Sequence, residues 1–456
     1  MRLVTVLLAL QQPVAPPSAA ADSARGRPCL LVVDTVGHEG RQVEVGPGLQ
    51  NIYAGGGVRA HCQGTTTTLA SDSMVWNALT NRLDLLGTVR IRDTSLSLDA
   101  NLAAYYRLDE RLEAHNNVVA VNRNNGSVLR GPNLVYWRAA PGIRDTVEMY
   151  ATQRPTIHYR GAGAADTTEP YVIIADRVRF KGNDRMWAGG TSTIDRSDFA
   201  TQSDSMALDQ IAGVGVLIGS PRVQGKGAQS YTLTGTRIEL GLQARDVRLV
   251  KALGDGKATS TDWTLAADTI HLAIERRKLQ QALAWGTKAR PHAVSALQDI
   301  RADSLALDVP DQVLTEGRGF GRAFSASKRD STVAAVKVDC PSDTADCLVS
   351  CVVVAVDCIA GDTLTARWAQ ERDSAGAQRS RIHQIIARGS ARALSHLPSR
   401  DSTTGPALNY SRGKSIDIQL KQARIDRVTV GGRADGVHLE PRPPAPPDTT
   451  AQRDST

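Results

Sequence analysis

Aromatic residues make up only 4% of this 456-residue chain, so any apolar surface it builds is mainly aliphatic. Long apolar runs are also scarce. Beyond the first ten residues, no segment approaches the roughly 20 residues of a membrane-spanning helix without meeting a charge or a turn residue. Charge of one sign does not dominate: 54 Lys and Arg stand against 47 Asp and Glu, for a formal net charge of +7. No basic tract is interleaved with aromatics, so a nucleic acid partner is not expected. The small cationic surplus suits weak attraction to anionic surfaces such as phosphorylated lipids. Cysteine is sparse, without a C-x-x-C pair or a nearby pair of histidines, and a zinc site is not expected. What is present, 41% hydrophobic and 22% charged residues, is the composition of a folded chain.

Residues 1–21 read as a signal peptide. Arg2 is followed by a mostly apolar run from Leu3 to Leu10, and Ser18, Ala19, Ala20 and Ala21 supply the small residues of a cleavage site. The run is too short to span a bilayer, so the mature chain is expected to be exported and soluble. Cys29 follows Gly26, Arg27 and Pro28 rather than a small apolar triplet, which argues against a lipoprotein anchor. The six cysteines, Cys29, Cys62, Cys340, Cys347, Cys351 and Cys358, are an even number. In an oxidising compartment they read as disulfides whose connectivity stays open. Cys29 with Cys62 is the favoured pair, because both flank the first apolar segments.

After a lead-in over 22–44, one unit recurs ten times between 45 and 440: a small residue, a polar or turn-forming residue, then apolar residues two apart. The copies are Ser71–Trp76, Ala100–Tyr105, Gly131–Tyr136, Ala175–Phe180, Ser203–Leu208, Gly235–Leu240, Ala267–Leu272, Ala302–Leu307, Gly361–Ala366 and Gly413–Ile418. Period two is that of a half-buried strand. Downstream of most copies lies a second alternating run broken by glycine, such as Leu83, Leu85, Gly87, Val89 and Ile91. Each unit is therefore strand, turn, strand, with a period of about 30 residues. Longer intervals mark insertions near 161–169, 371–379 and 398–405, and a cysteine-bearing one at 328–359. Ten two-strand units stacked at ~4.8 Å predict an elongated all-β body at least about 48 Å long. Met74, Trp76, Tyr105, Leu134, Tyr136, Val178, Phe180, Met206, Leu208, Ile238, Leu240, Ile270, Leu272, Leu305 and Leu307 then share one inner surface. From Pro441 the pattern stops, and 441–456 reads as a disordered proline-rich tail.

This unit, with its Asp, its apolar alternation ending in an aromatic and its glycine-bearing second strand such as Leu85–Val89, resembles the OstA-like domains of the lipopolysaccharide transport proteins LptA and LptD. The resemblance covers roughly Val45 to Glu440. It implies an open, twisted β jelly roll in the periplasm whose V-shaped groove takes the acyl chains of lipopolysaccharide. It also implies end-to-end strand pairing with LptC-like or LptD-like partners, or with a second copy. The chain lacks the amphipathic strands of an outer-membrane barrel and the N-terminal helix of LptC. The cysteine insertion has no counterpart in that family's pattern.

Catalysis finds little footing. Asp72, Asp176, Asp204, Asp268, Asp303 and Asp362 recur once per unit, whereas a catalytic residue occurs once per site. Gly413-Lys414-Ser415 imitates the end of a P-loop, but Leu408 stands where the first glycine is needed. Gly317, Gly319 and Gly321 miss the dinucleotide spacing, no G-x-S-x-G elbow occurs, and His61 beside Cys62 is the one adjacent His–Cys pair. The expectation is a non-enzymatic lipid carrier without cofactor. The alternatives left open are an extracytoplasmic structural or adhesin β-solenoid with a dry core and, behind it, a glycan-processing β-helix enzyme.

Overall fold

The computed structural model describes residues 30–440, apart from 39, 141, 161–168, 228–229, 244–245, 296, 328–355, 373–377, 398–405 and 422–423. The leader, Cys29, Cys340, Cys347, Cys351, most of the cysteine insertion and the tail lie outside the described residues. The alternation of apolar and polar residues becomes strand throughout: the chain is all-β, with no α-helix among the described residues and one 3-10 turn at Pro310–Gln312. It divides into two compact units, the first of residues 1–224 and 237–248, the second of residues 225–236 and 249–456.

In the first unit, the strands Thr68–Asn77, Arg82–Arg92, Leu96–Tyr106, Arg111–Asn122 and Val128–Trp137 pair antiparallel in sequence order. Each recurrent motif sits where such a strand bends. Along Thr68–Asn77 the inward residues are Leu69 and Ser71 before the bend, then Met74 and Trp76 after it. The inner set thus changes from odd to even positions across Asp72. The register slips at the same place, with Ala70 facing Arg90 but Ser73 facing Leu86, so that the partner strand carries an extra residue. This is a β-bulge, which bends a strand and re-aims its side chains.

The bend has a recurring construction. Gly87 in the partner strand has φ +67°, and a Cβ there would collide with Asp72 Oδ2. The same contact pairs Asp176 with Gly190, Asp204 with Gly219, Asp268 with Gly286, Asp303 with Gly321 and Asp362 with Gly389. The Asp176 and Asp204 N–H groups donate to the Gly190 and Gly219 carbonyls at 3.0 Å. Where Asn101 and Pro132 stand in place of Asp, the opposed bends are Asn116-Asn117 and Gln153-Arg154, which also hold positive φ. Each bend divides a long strand into two arms, and both arms turn an apolar face inward.

The second unit repeats these bends, with register slips at Leu253/Gly256, Phe320/Ala323 and Arg388/Ala391. Its inner positions are closely filled. Ala252, Ala258, Leu265, Ile270, Leu272, Ala282 and Ala284 are all 0% exposed. Phe324, Ala326, Val356, Cys358, Ala360 and Leu394 form a further core cluster against which Tyr410 packs. Cys62 and Cys358 are both buried, and neither is a free thiol. The favoured Cys29–Cys62 pairing involves a residue outside the described set.

Candidate functional site

The first unit holds two hollows between its inner faces. One has about 970 Å³ of space, part of it open to solvent. Its lining comes from both arms of the bent strands: Leu69, Ile91 and Leu96 lie before or beyond the bends on one side, and Met74, Trp76, Leu83, Tyr105, Leu112 and Tyr136 on the other. Leu31 and Val33, from the strand Leu31–Val36 that pairs with Leu49–Cys62, complete it. The second hollow, about 940 Å³, is lined by Leu129, Met149, Ile157, Tyr159 and Phe180 among others and shares Leu96 and Tyr136 with the first. Tyr159 and Phe180 lie side by side in this lining, with ring centroids 5.7 Å apart and planes tilted by 35°.

Charge is confined to particular points of the lining. Arg107 and Arg138 reach the first hollow, and so does Asp93. The Asp93 carboxylate accepts the N–H groups of Ser95 at 2.7 Å and Leu96 at 2.5 Å, which ties it to the turn. Beside the arginines, buried Glu110 accepts the Tyr105 hydroxyl at 2.7 Å and lies 3.9 Å from Arg138 Nη1. Burial, and then the Glu110 charge and hydrogen bond, hold the Tyr105 phenol well above its ordinary pKa. Burial likewise raises Tyr136; its hydrogen bond with Ser95 opposes the rise, and the Asp93 charge adds to it. Both phenols therefore stay neutral, as an apolar lining requires. Arg107 makes no ion pair among the described residues. The second hollow is ringed by uncharged groups instead, with Asn122, Asn124, Asn125, Ser127 and Asn183 at its polar side.

The fifteen inward candidates from the sequence separate in space. Met74, Trp76, Tyr105, Tyr136 and Phe180 line the hollows. Leu134, Val178, Met206, Ile238 and Leu240 are buried in the same unit, and Leu208 is half-buried there. Ile270, Leu272, Leu305 and Leu307 belong to the second unit, all buried. What the motif did not reveal is the other arm: Leu69, Ile91, Leu96 and Leu129 come from stretches upstream of the copies or beyond the bends. Alternation already ran through Leu96, Leu98 and Ala100 before the third of these met its motif. Arg107, Glu110 and Arg138 sit in turns or at strand ends, where charge is ordinary and signals nothing by itself.

Among the described residues, no three His, Cys, Asp or Glu side chains come together in a way that would hold a metal ion. No protein-family model matches the chain, and no curated protein matches it in sequence.

Proposed function

We propose that this chain is an exported, non-enzymatic carrier that shields the acyl chains of lipopolysaccharide, or of a related glycolipid, between walls of bent strands. The observation that carries this reading is the pair of adjoining, largely apolar hollows in the first unit, both open to solvent. Each CH₂ taken from water into such a space is worth about 0.8 kcal/mol, so even partial shielding of one chain holds it firmly. The recurrent aspartates are engaged at the bends, which suits a scaffold rather than a row of catalytic groups. An open, twisted β jelly roll in the periplasm is the architecture we assign to it.

Partners follow from the edges. The strands Leu31–Val36 and Arg41–Gly46 both pair with Leu49–Cys62, and Asp435–Leu439 pairs with Ala407–Lys421. Val437 and Leu439 of that last strand are exposed. One-sided strands of this kind are templates for β-augmentation by an LptC-like or LptD-like domain, or by a second copy.

The test is mass spectrometry of lipids that co-purify with the mature protein, followed by photo-crosslinking from a probe at Trp76 or Phe180. Crosslinks to lipopolysaccharide are expected at both positions, and none from a probe at outward-facing Arg179. A folded sample that yields no lipid and no crosslink would instead favour a dry β-solenoid with a structural or adhesive role. The filled interior of the second unit is the observation that favours this second reading.

A further inference from the structure

We infer that the ligand site is confined to the first unit and takes one anionic amphiphile per chain, with its apolar part between the arms and its negative group against Arg107 and Arg138. This rests on the carrier reading and narrows it from a groove running the length of the repeats to a chamber.

The two units differ in what lies between their walls. Every residue that lines the two hollows falls between Leu31 and Asn183. Leu96 and Tyr136 line both hollows, so the two spaces adjoin at these side chains. In the second unit fully buried alanines, at Ala252, Ala258, Ala282, Ala284, Ala302 and Ala366, interleave with fully buried Leu265, Ile270 and Leu272. Small and large side chains that interdigitate in this way pack as an organic crystal does, which leaves little room for a chain. The space between Trp263 and Trp368 amounts to about 240 Å³. Ile270, Leu272, Leu305 and Leu307 are core residues on this reading, and Trp76, Tyr105, Tyr136 and Phe180 are the ligand-facing ones.

The headgroup follows from the charges. Glu110 is engaged by Tyr105 and neighbours Arg138, and Asp93 is held by its turn, which leaves Arg107 without a carboxylate partner among the described residues. A guanidinium next to an apolar space and short of an anion is matched by a carboxylate or a phosphate, the groups its planar fork binds best. A second unmet group lies deeper. Trp76 is 9% exposed and lines the first hollow, and its indole Nε1 has no hydrogen-bond acceptor among the described residues. An ester or amide carbonyl of a bound lipid supplies one.

The experiment uses the full chain with two photoactivatable lipids, a diazirine fatty acid and a diazirine phosphatidic acid. Native mass spectrometry counts the bound molecules, and peptide mapping locates the label. One lipid per chain is expected, with label within residues 31–183 and none beyond residue 249. Labelling by one probe and not the other tells a carboxylate ligand from a phosphate one. Neutral diacylglycerol should compete about tenfold less well than phosphatidic acid, and Arg107→Gln with Arg138→Gln should weaken phosphatidic acid by about tenfold. If the double variant misfolds, Arg107→Gln alone serves, because Arg107 makes no ion pair among the described residues. Unchanged affinity in the folded variant overturns the anion assignment. Several lipids per chain with label in both units overturns the confinement and leaves the carrier reading standing. No binding of either probe by a folded chain overturns the proposed site, and the lipopolysaccharide crosslinking from Trp76 and Phe180 then decides the carrier reading separately.

Discussion

The carboxylates that recur through this chain do their work against glycine. Asp204 sits beneath Gly219, whose φ is +80°, so a side chain there meets both a left-handed backbone and the Asp204 carboxylate. Gly219→Ala should cost about 1–2 kcal/mol from the backbone alone, and more from the collision. Adding Asp204→Gly, which removes the Asp204 Cβ together with its carboxylate, should recover the collision and leave the backbone cost, a non-additivity that urea unfolding of the two single variants and the double variant would read. Additive losses would mean that the contact does not shape the bend. Another carboxylate reports on pH. Burial alone would raise the pKa of Asp299, but His292 Nε2 at 2.6 Å and Arg301 at 3.4 Å more than offset it and hold the pKa below the ordinary range. The unfolded chain therefore binds this proton at a higher pH than the folded one. The stabilisation is present above the ordinary Asp pKa and is lost as pH falls through it towards the folded value. Denaturant unfolding from about pH 6 to about pH 3 should show a shallower acid loss for Asp299→Asn than for the parent. Equal slopes would mean the pair contributes nothing.

At the scale of the strand, legibility depended on whether a feature is local. Period-two alternation is local, and Met74 and Trp76 or Ile270 and Leu272 announce inward faces in six residues. The glycines were visible as breaks in the second run. Their contact with the aspartates was not, because the partners stand at variable separations, from 14 residues for Asp176 and Gly190 to 27 for Asp362 and Gly389. The bend itself was hidden for the same reason: a change of inward parity at Asp72 reads in sequence as two unrelated half-patterns, Leu69 with Ser71 and Met74 with Trp76. Whether facing arms touch or stand apart is set by side chains on strands far apart in the chain, and no single copy encodes it. Substitution can measure that spacing. Leu96→Phe, on a residue that lines both hollows, has space to enter and should change stability by less than about 1 kcal/mol, whereas Ala284→Leu, at a filled position, should cost about 1–3 kcal/mol by overpacking. Thermal or denaturant unfolding decides, and equal costs would mean that the first unit closes in solution.

For the whole molecule, the consequence is that one repeated element yields two interiors. The same bend and the same pairing surround two hollows lined by Trp76, Tyr105, Tyr136 and Phe180 in the first unit, and an interior of fully buried Ala252, Ala258, Leu265, Ile270 and Leu272 in the second. A ligand that occupies only the hollow binds only the folded first unit, and mass action stabilises what it binds: at one hundred times Kd the gain is about 2.7 kcal/mol. Hydrogen exchange of the full chain with and without saturating phosphatidic acid should therefore slow the amides of Leu96–Tyr106 and Arg111–Asn122 by up to about a hundredfold. The amides of Trp263–Glu275 and Asp357–Arg372 should exchange as before. Slowing of equal size in both sets would sink the division of labour between the units, since the ligand would then be held by the second as firmly as by the first.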